Sequence, residues 1–309
     1  MSELLHAVPS SQVQLTPCTS RVAEVLAAGR AVQASEALVS SLFDSLRLKN
    51  GVYKTTSSHR LDDVNTWVSN YLPAASPLNV LDVAISSGTS TLEWVDSLVE
   101  SGFDCWMTGM DLTIDALLVS FGDRLHAVLD RTRWPLMFEI DGQFVPNPPR
   151  KKHLLKYFIP LTRIKWALRL WSGKYGKHGT SEILRVLGMP TITRDINLVI
   201  PRLMGHPRVT VREGDLLSGS GLEGAFQVIR AANILNRKYF DNAAIIRMVR
   251  NLAHQLTQDG LLVVCRTDLD EQRVNRGTIF RLGEAGRFLP VSQLNGGSEV
   301  EELILDIQF

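Results

Sequence analysis

The sequence of 309 residues predicts an α/β fold with a parallel central sheet. Short apolar runs, typical of strands buried on both faces, alternate with stretches of helical periodicity. The first two runs are each followed by a helix-like segment, and such βαβα units need a parallel sheet with right-handed crossovers. We predict seven strands in this sheet, over 78–84, 103–110, 208–212, 225–231, 260–266, 278–282 and 302–307.

Composition indicates an ordinary globular protein. Hydrophobic residues make up 45% and charged residues 21% of the chain, and the formal net charge of +1 gives no overall preference for nucleic acid. Cys18, Cys105 and Cys265 lack the spacing of a zinc or redox site, so we expect reduced thiols and no metal. Because neither a secretory signal nor a membrane-spanning run is visible, the expected location is the cytoplasm.

The N-terminal part, residues 1–75, predicts a helical cap on the sheet. Residues 1–20 are rich in proline and serine and suggest a loose terminus. Apolar residues then recur at helical spacing from Arg21 to about Lys49, and again from Leu61 to Leu72. The predicted sheet domain comprises 76–122 and 206–309, with helices over 112–120 and 239–256.

Residues 123–205 are predicted to form an insertion between the second and third strands. Its first part contains two strand-like runs, 127–129 and 136–145, with a possible turn at Asp141-Gly142. A helical interval follows. We expect the cap and the insertion to lie over the active site.

The most informative segment runs from Val80 to Thr91, where a strand, a turn of small residues and a helix follow one another directly. Small side chains at such a turn let the main chain touch a ligand, and an acidic residue near the strand end can hold a charged group. Asp111 closes the next strand, where a carboxylate can accept hydrogen bonds from both ribose hydroxyls. The candidates in and near the turn are Asp82, Ala84, Ser86, Ser87 and Gly88.

This segment resembles the first motif of the class I S-adenosylmethionine-dependent methyltransferases, and the similarity covers about residues 78 to 309. It implies a Rossmann-like seven-stranded sheet, S-adenosyl-L-methionine as cofactor, and Asp82 and Asp111 as binding residues, with Leu112 beside the second. The chain departs from the family pattern because Ala84 and Ser86 stand where two glycines are usual.

Later segments extend the resemblance. It implies that Asp215, with Leu216, faces the adenine after the third strand, although Glu213 competes for that role. It also places Asn233, at the end of the fourth strand, beside the transferred methyl group, with Arg230 as a neighbour. The run 230–240 is locally similar to chemotaxis-receptor glutamate methyltransferases, which does not by itself imply carboxyl methylation.

The acceptor site is predicted less directly. Asn233, Arg230 and His59 are our candidate catalytic residues, and His59 lies in a polar loop before the sheet domain. The sulfonium cofactor is already activated, so proximity and orientation suffice and no strong base is required. We expect O- or N-methylation of a small molecule.

Other interpretations remain open at this stage. Asp82 and Asp111 could simply cap a loop or form a turn. A nicotinamide-dependent oxidoreductase would share the βαβ unit, although its G-x-G-x-x-G fingerprint is incomplete here. A non-catalytic interaction protein with this fold is a further alternative.

The segment from Arg150 to Lys177 is basic and apolar, with no acidic residue. This mixture is typical of a segment at a membrane surface, and it also suits an anionic lipid or polymer substrate. Nucleic acid, a lid helix and a homodimer interface are the other interpretations. Pro160 in its middle predicts two short helices rather than one.

Overall fold

The computed structural model describes residues 20–27, 35–55, 57–73, 77–172, 183–219, 221–268 and 273–308. Eight helices are assigned within these ranges: α1 Arg21–Ala27, α2 Glu36–Phe43, α3 Asp62–Ser69, α4 Thr89–Glu100, α5 Lys151–Ser172, α6 Pro201–Met204, α7 Asn242–Gln255 and α8 Glu301–Leu305. A short helical segment also covers 183–186. The strands are β1 Leu78–Val83, β2 Cys105–Asp111, β3 Asp115–Phe121, β4 Leu125–Asp130, β5 Pro135–Ile140, β6 Gln143–Pro146, β7 Thr191–Asn197, β8 Val209–Glu213, β9 Phe226–Ala232, β10 Leu256–Thr267, β11 Asn275–Gly283 and β12 Arg287–Leu294.

The larger sheet has seven strands in the order β12-β11-β10-β9-β1-β2-β8. The five strands from β10 to β8 are parallel, whereas β11 is antiparallel to both of its neighbours. Strand order reverses between β1 and β9, because the chain proceeds from β1 to β2 and β8 on one side and then returns to β9. A crevice at the carboxyl ends of the strands forms at such a reversal, and ligands bind there in open α/β sheets.

Helices cover both faces of this sheet. On one face, α3, α4 and α6 contribute Val64, Trp94 and Leu203 to a buried cluster with β1 and β2. On the other face, α7 and α8 pack Ile245 and Ile304 against β9 and β10. The sheet is therefore the middle of three layers, which accounts for the apolar run 261–265 in β10 and for the predominance of apolar residues in β1.

A second sheet is inserted between β2 and β8. It has five antiparallel strands in the order β6-β5-β4-β3-β7. Helix α5 packs on one face through Leu161 and Ile164. Helices α1 and α2 pack on the opposite face through Val22 and Phe43. Of the expected cap, α1 and α2 therefore contact the second sheet, and α3 packs on the larger one.

The helix predicted over 112–120 is wrong, because β3 occupies most of that range. Its sequence is a continuous apolar run, Ala116 to Val119 within Asp115–Phe121, and periodicity alone does not distinguish helix from strand in such a run. Since β3 pairs with β4 and β7, the insertion starts before residue 115 rather than at 123. The predicted turn at Asp141-Gly142 is confirmed between β5 and β6.

Two predictions near the C terminus need correction. The strand expected over 302–307 is helix α8, which packs Ile304 into the larger core. The seventh strand of the sheet is instead β12, whose sequence contains Pro290 and which lies at the edge of the sheet. Proline is tolerated at an edge because its missing N–H faces away from the sheet.

Several predictions concern termini, thiols and membranes. The expected loose terminus and Cys18 lie outside the described residues, apart from Ser20. Cys105 and Cys265 are free and buried. In the described part of the chain, no cluster of metal-ligating side chains occurs. No described helix is both long and apolar enough to cross a membrane.

Candidate functional site

The turn after β1 uses left-handed backbone at three alternating positions. Ala84, Ser86 and Gly88 have φ angles of 58°, 57° and 82°. A non-glycine residue at such an angle is strained by roughly 1–2 kcal/mol. At these positions the resemblance implies a glycine-rich motif, and the left-handed backbone that glycine favours is present although alanine and serine occupy two of them.

The same turn is fixed to the rest of the molecule. Gly88 is the N-cap of α4, and a Cβ atom there would overlap the Leu203 side chain of α6. The Ser87 carbonyl oxygen accepts a hydrogen bond from the Ile200 N–H at 2.8 Å. Gly88 is therefore required for contact with α6, and Ser87 is buried beneath the turn.

Asp82 is held by an arginine from the neighbouring strand. Arg230 on β9 donates from Nε and one terminal nitrogen to the two carboxylate oxygens, at 2.9 and 2.6 Å. The Thr91 hydroxyl donates to the same carboxylate at 2.7 Å. Both charged side chains are almost fully buried. Both oxygens of Asp82 thus have partners within the chain. Because a carboxylate has about four acceptor sites, direct binding of a ligand by Asp82 stays a prediction.

Arg230 is likewise occupied. Its remaining donors reach the Asn65 side chain at 2.6 Å and the Ser90 carbonyl at 3.1 Å, and its guanidinium lies 4.0 Å from the centre of the Trp94 ring. A side chain this buried cannot meet an acceptor molecule. We therefore replace the predicted catalytic role of Arg230 with a structural one, linking β1, β9, α3 and α4.

Asp111 is engaged by a residue that the sequence analysis did not single out. Lys54 Nζ donates to one carboxylate oxygen at 2.6 Å and to the Thr113 carbonyl at 2.8 Å. The other carboxylate oxygen accepts from the Ser86 N–H at 2.7 Å, while the Ser86 hydroxyl donates to the Lys54 carbonyl. Lys54, Ser86 and Asp111 thus close the crevice beside β2, and a ribose would reach Asp111 only after Lys54 withdraws.

The residues predicted to face the adenine, Asp215 and Leu216, and Leu112, predicted beside Asp111, lie in different environments. Asp215 accepts from the Leu217 N–H and the Ser218 hydroxyl, so it caps its own loop. Leu216 packs in the core and Leu112 is 45% exposed. The Glu213 carboxylate accepts from the N–H groups of Ile114 and Asp115 at 2.8 Å each, which fixes the loop after β2.

Buried polar atoms without partners lie at the carboxyl ends of β1, β9 and β10. Within the described residues, these include Arg60 Nε, Glu93 Oε2 and Asn233 Nδ2. Asn233 has a left-handed φ of 62°, and its side-chain oxygen accepts from the Thr267 N–H. Thr267 bonds to Asn275, which in turn donates to the Arg60 carbonyl. We call Arg60, Glu93 and Asn233 the switch-point cluster.

Burial shifts the pKa values of this region. Burial raises the pKa of Glu93, partly opposed by the hydrogen bond from the His59 N–H. Desolvation lowers the pKa of Arg60. Burial also raises the pKa of the Cys265 thiol to about 12, so this cysteine is not a nucleophile. The cluster therefore combines a guanidinium whose pKa is lowered and a carboxyl group whose pKa is raised, in both cases mainly by burial.

His59 lies at the rim of this region. Its side chain is 76% exposed and bonds to Asp62 at 2.9 Å, and that bond raises its pKa. Its backbone N–H, rather than its ring, contacts Glu93. Among the three predicted catalytic residues, only Asn233 has an unpartnered buried donor at the switch point.

Sequence reasoning missed Lys54 and Glu93. Glu93 carried one signal, since it is the first carboxylate of α4 and lies five residues after Gly88 in the turn after β1. Lys54 carried none, because its role depends on a segment that reaches Asp111 from 57 residues away.

The switch-point cluster fits one part of the expected cofactor. A free α-amino acid group carries an ammonium and a carboxylate, which match the open Glu93 oxygen and the open Arg60 donor. The neighbouring turn offers the close backbone approach that an adenosyl group needs. Asp111 fits the ribose by position at the end of β2, provided that Lys54 releases it.

Comparisons with known proteins complete the description. No family model and no curated protein matches the sequence. Solved structures with similarity to it include the CMeT domain of the citrinin polyketide synthase, with 13% identity over 66% of this chain and a TM-score of 0.33. The CurJ carbon methyltransferase has 10% identity over 69% of the chain and a TM-score of 0.32. This chain covers 34% and 35% of those two chains.

A protein from Pyrococcus horikoshii OT3 is similar over more of its length. Its identity is 11%, the match covers 79% of this chain and 78% of that one, and the TM-score is 0.33. The fold assignment follows from strand order and pairing in this chain. The larger sheet, with its parallel strands, its reversal of strand order and its two helical layers, has the Rossmann-like α/β fold that the sequence predicts.

Proposed function

We propose that this protein is an S-adenosyl-L-methionine-dependent methyltransferase that acts on a small molecule, with O- or N-methylation favoured. The observation that carries the proposal is the switch-point cluster, where buried polar atoms without partners lie beside a turn that keeps the backbone of a nucleoside-binding motif. Its chemistry matches an amino acid group attached to a nucleoside.

Each group has a distinct role in this proposal. The Arg60 guanidinium binds the cofactor carboxylate, and Glu93 accepts from the ammonium. Asp111 binds the ribose hydroxyls once Lys54 has moved. Asn233 Nδ2 donates to the acceptor and orients it. When bound, the cofactor supplies an electrophilic methyl group on sulfonium, so orientation by the protein accounts for most of the catalysis.

A calorimetric titration with S-adenosylmethionine and S-adenosylhomocysteine tests the proposal. Micromolar binding is expected, and Asp111→Ala should abolish it, whereas Asp123→Ala, at a turn of the second sheet, should leave it unchanged. If the folded protein binds neither compound, the proposal is wrong. Binding of a nicotinamide dinucleotide instead would favour the oxidoreductase.

One observation favours a second candidate, a non-catalytic interaction protein with the same fold. Asp82 and Asp111, the two carboxylates implied by the resemblance, are both paired with cations of the chain itself. If this candidate is correct, S-adenosylmethionine will not bind, and Lys54→Ala will not create binding. The titration above therefore separates the two candidates.

A further inference from the structure

Helix α5 has two contrasting faces. Tyr157, Leu161 and Ile164 are buried against the second sheet. The opposite face exposes large apolar side chains, with Leu155 90%, Phe158 67% and Ile159 69% accessible. A kink at Tyr157, three residues before Pro160, separates the two halves of the helix. The unpartnered face is therefore a property of the folded helix, since its other face is already used in the core.

The charge on this helix has one sign. From 150 to 169 the chain carries seven lysine and arginine residues and no acidic residue. Lys151, Lys152 and Lys156 lie beside the exposed Leu155, and Arg163 and Lys165 lie beside the half-exposed Trp166. Basic residues thus flank the apolar side chains along the whole exposed face.

The exposed surface continues beyond α5. A groove of about 290 Å³ lies between the helix and the second sheet. Its wall contains Ile159, Arg163 and Met189, and also Asp123 and the ion pair of Arg124 with Asp141. Val186, close to Met189 in sequence, is 76% exposed. We call the surface formed by the outer face of α5 and the exposed residues 186–188 the basic-apolar face.

We propose that the basic-apolar face docks on an anionic lipid bilayer. Apolar side chains such as Leu155 and Phe158 enter the boundary between headgroups and acyl chains, as in helices that lie in the membrane interface. The lysines and arginines around them contact the anionic headgroups. A helix that lies in the interface in this way need not span the bilayer.

Other occupants match these features less well. In a symmetric dimer through this face, two surfaces whose charged residues are all basic would repel each other. The phosphates of nucleic acid would pair with the basic residues, but they offer no apolar contact to aliphatic side chains such as Leu155 and Ile159. A bilayer satisfies both the charge and the apolar exposure.

Co-sedimentation with vesicles tests the proposal. The 309-residue protein should sediment with vesicles of phosphatidylserine and phosphatidylcholine, and much less with phosphatidylcholine alone or at high salt. The triple variant Lys151→Gln, Lys152→Gln and Lys156→Gln should bind about 100-fold more weakly. The variant Leu155→Ser with Phe158→Ser should lose at least about tenfold at any salt concentration, because insertion is lost.

A charge-matched control carries Arg247→Gln, Arg250→Gln and Arg281→Gln, at exposed positions on α7 and β11. It should bind vesicles like the wild type, and circular dichroism should show that every variant is folded. The proposal is overturned if the wild type does not sediment with anionic vesicles, or if the control loses as much binding as the α5 variants. Dimer dissociation in the Leu155 and Phe158 variant without vesicle binding would assign the face to self-association instead, and binding of duplex DNA without vesicle binding would assign it to nucleic acid.

Discussion

At the scale of single residues, the turn after β1 has left-handed backbone at two positions where glycine is usual but absent. Ala84 and Ser86 adopt the left-handed angles that glycine favours. Ser86 is compensated by two hydrogen bonds, to Asp111 and Lys54, whereas no side chain among the described residues bonds to the Ala84 backbone. Strain at Ala84 is therefore carried by the surrounding core.

Ala84→Gly should stabilise the protein. Relief of the left-handed strain exceeds the extra backbone entropy that glycine brings to the unfolded chain, so the gain is about 0.5–1 kcal/mol. Urea unfolding measures the difference. Ala253→Gly in helix α7 is the control and should destabilise by about 1 kcal/mol. A destabilised Ala84→Gly protein would contradict the strain argument.

Glu93 gives a prediction that separates function from structure. Its pKa is raised above the ordinary 4.5, so the stability it contributes is present below pH 4.5 and is lost as pH rises through the folded-state pKa. Glu93→Gln should reduce the fall in the free energy of unfolding as pH rises, and the glutamine side chain should still accept the hydrogen bond from the His59 N–H. At neutral pH, stability should not fall.

The same variant should bind S-adenosylmethionine at least about tenfold more weakly, because an amide nitrogen cannot accept from the ammonium. Calorimetry at pH 7 and urea unfolding between pH 4 and 8 measure the two effects. The neighbouring exposed Glu100→Gln serves as the control. Unchanged cofactor affinity in Glu93→Gln would remove Glu93 from the site.

At the scale of elements, the start of α4 and the short helix α6 pack without space between them. Gly88→Ala should destabilise by about 2–4 kcal/mol, since it adds both an overlap with Leu203 and left-handed strain. Leu203→Ala alone leaves a cavity and should also destabilise. The double variant should lose less than the sum, because the overlap is gone. If urea unfolding shows that the stability losses of the two single variants simply add in the double variant, Leu203 of α6 does not restrict the side chain at position 88.

Element assignment failed where the local pattern was ambiguous. Residues 115–121 and 301–305 each contain a short apolar run, 116–119 and 303–305. The first segment pairs between β4 and β7, and the second packs on α7 and β12. The partner decides between strand and helix in each case. By contrast, β1, α4 and β2 follow from their own sequences, since a doubly buried strand and an amphipathic helix have distinct patterns.

At the scale of the whole molecule, Lys54 links the two sheets. It follows α2, which packs on the second sheet, and its ammonium reaches Asp111 at the end of β2 in the larger sheet. Loss of either partner would leave an uncompensated buried charge in the ligand-free protein, and the pair keeps the proposed ribose site closed. Cofactor binding and this contact are therefore in competition.

Lys54→Ala should lower the stability of the ligand-free protein by about 3 kcal/mol, because Asp111 loses its buried partner. It should also tighten S-adenosylmethionine binding roughly tenfold, since closure no longer competes with the ligand. Thermal unfolding and calorimetry measure the two changes, with Lys238→Ala at an exposed position as control. Weaker cofactor binding by Lys54→Ala would mean that Lys54 contacts the ligand instead of excluding it.

The sequence by itself determined the class of the larger sheet, the turn after β1 and the position of Asp111, because these features depend on residues that are neighbours along the chain. Only the tertiary structure decided that Arg230 neutralises Asp82 and that Lys54 covers Asp111. It also decided that Arg60 interacts with Glu93 and is linked to Asn233 through Thr267 and Asn275. Each of these contacts joins residues far apart in sequence, and burial decides their charge and partners. Local sequence patterns contain neither the long-range contacts nor the burial of these residues.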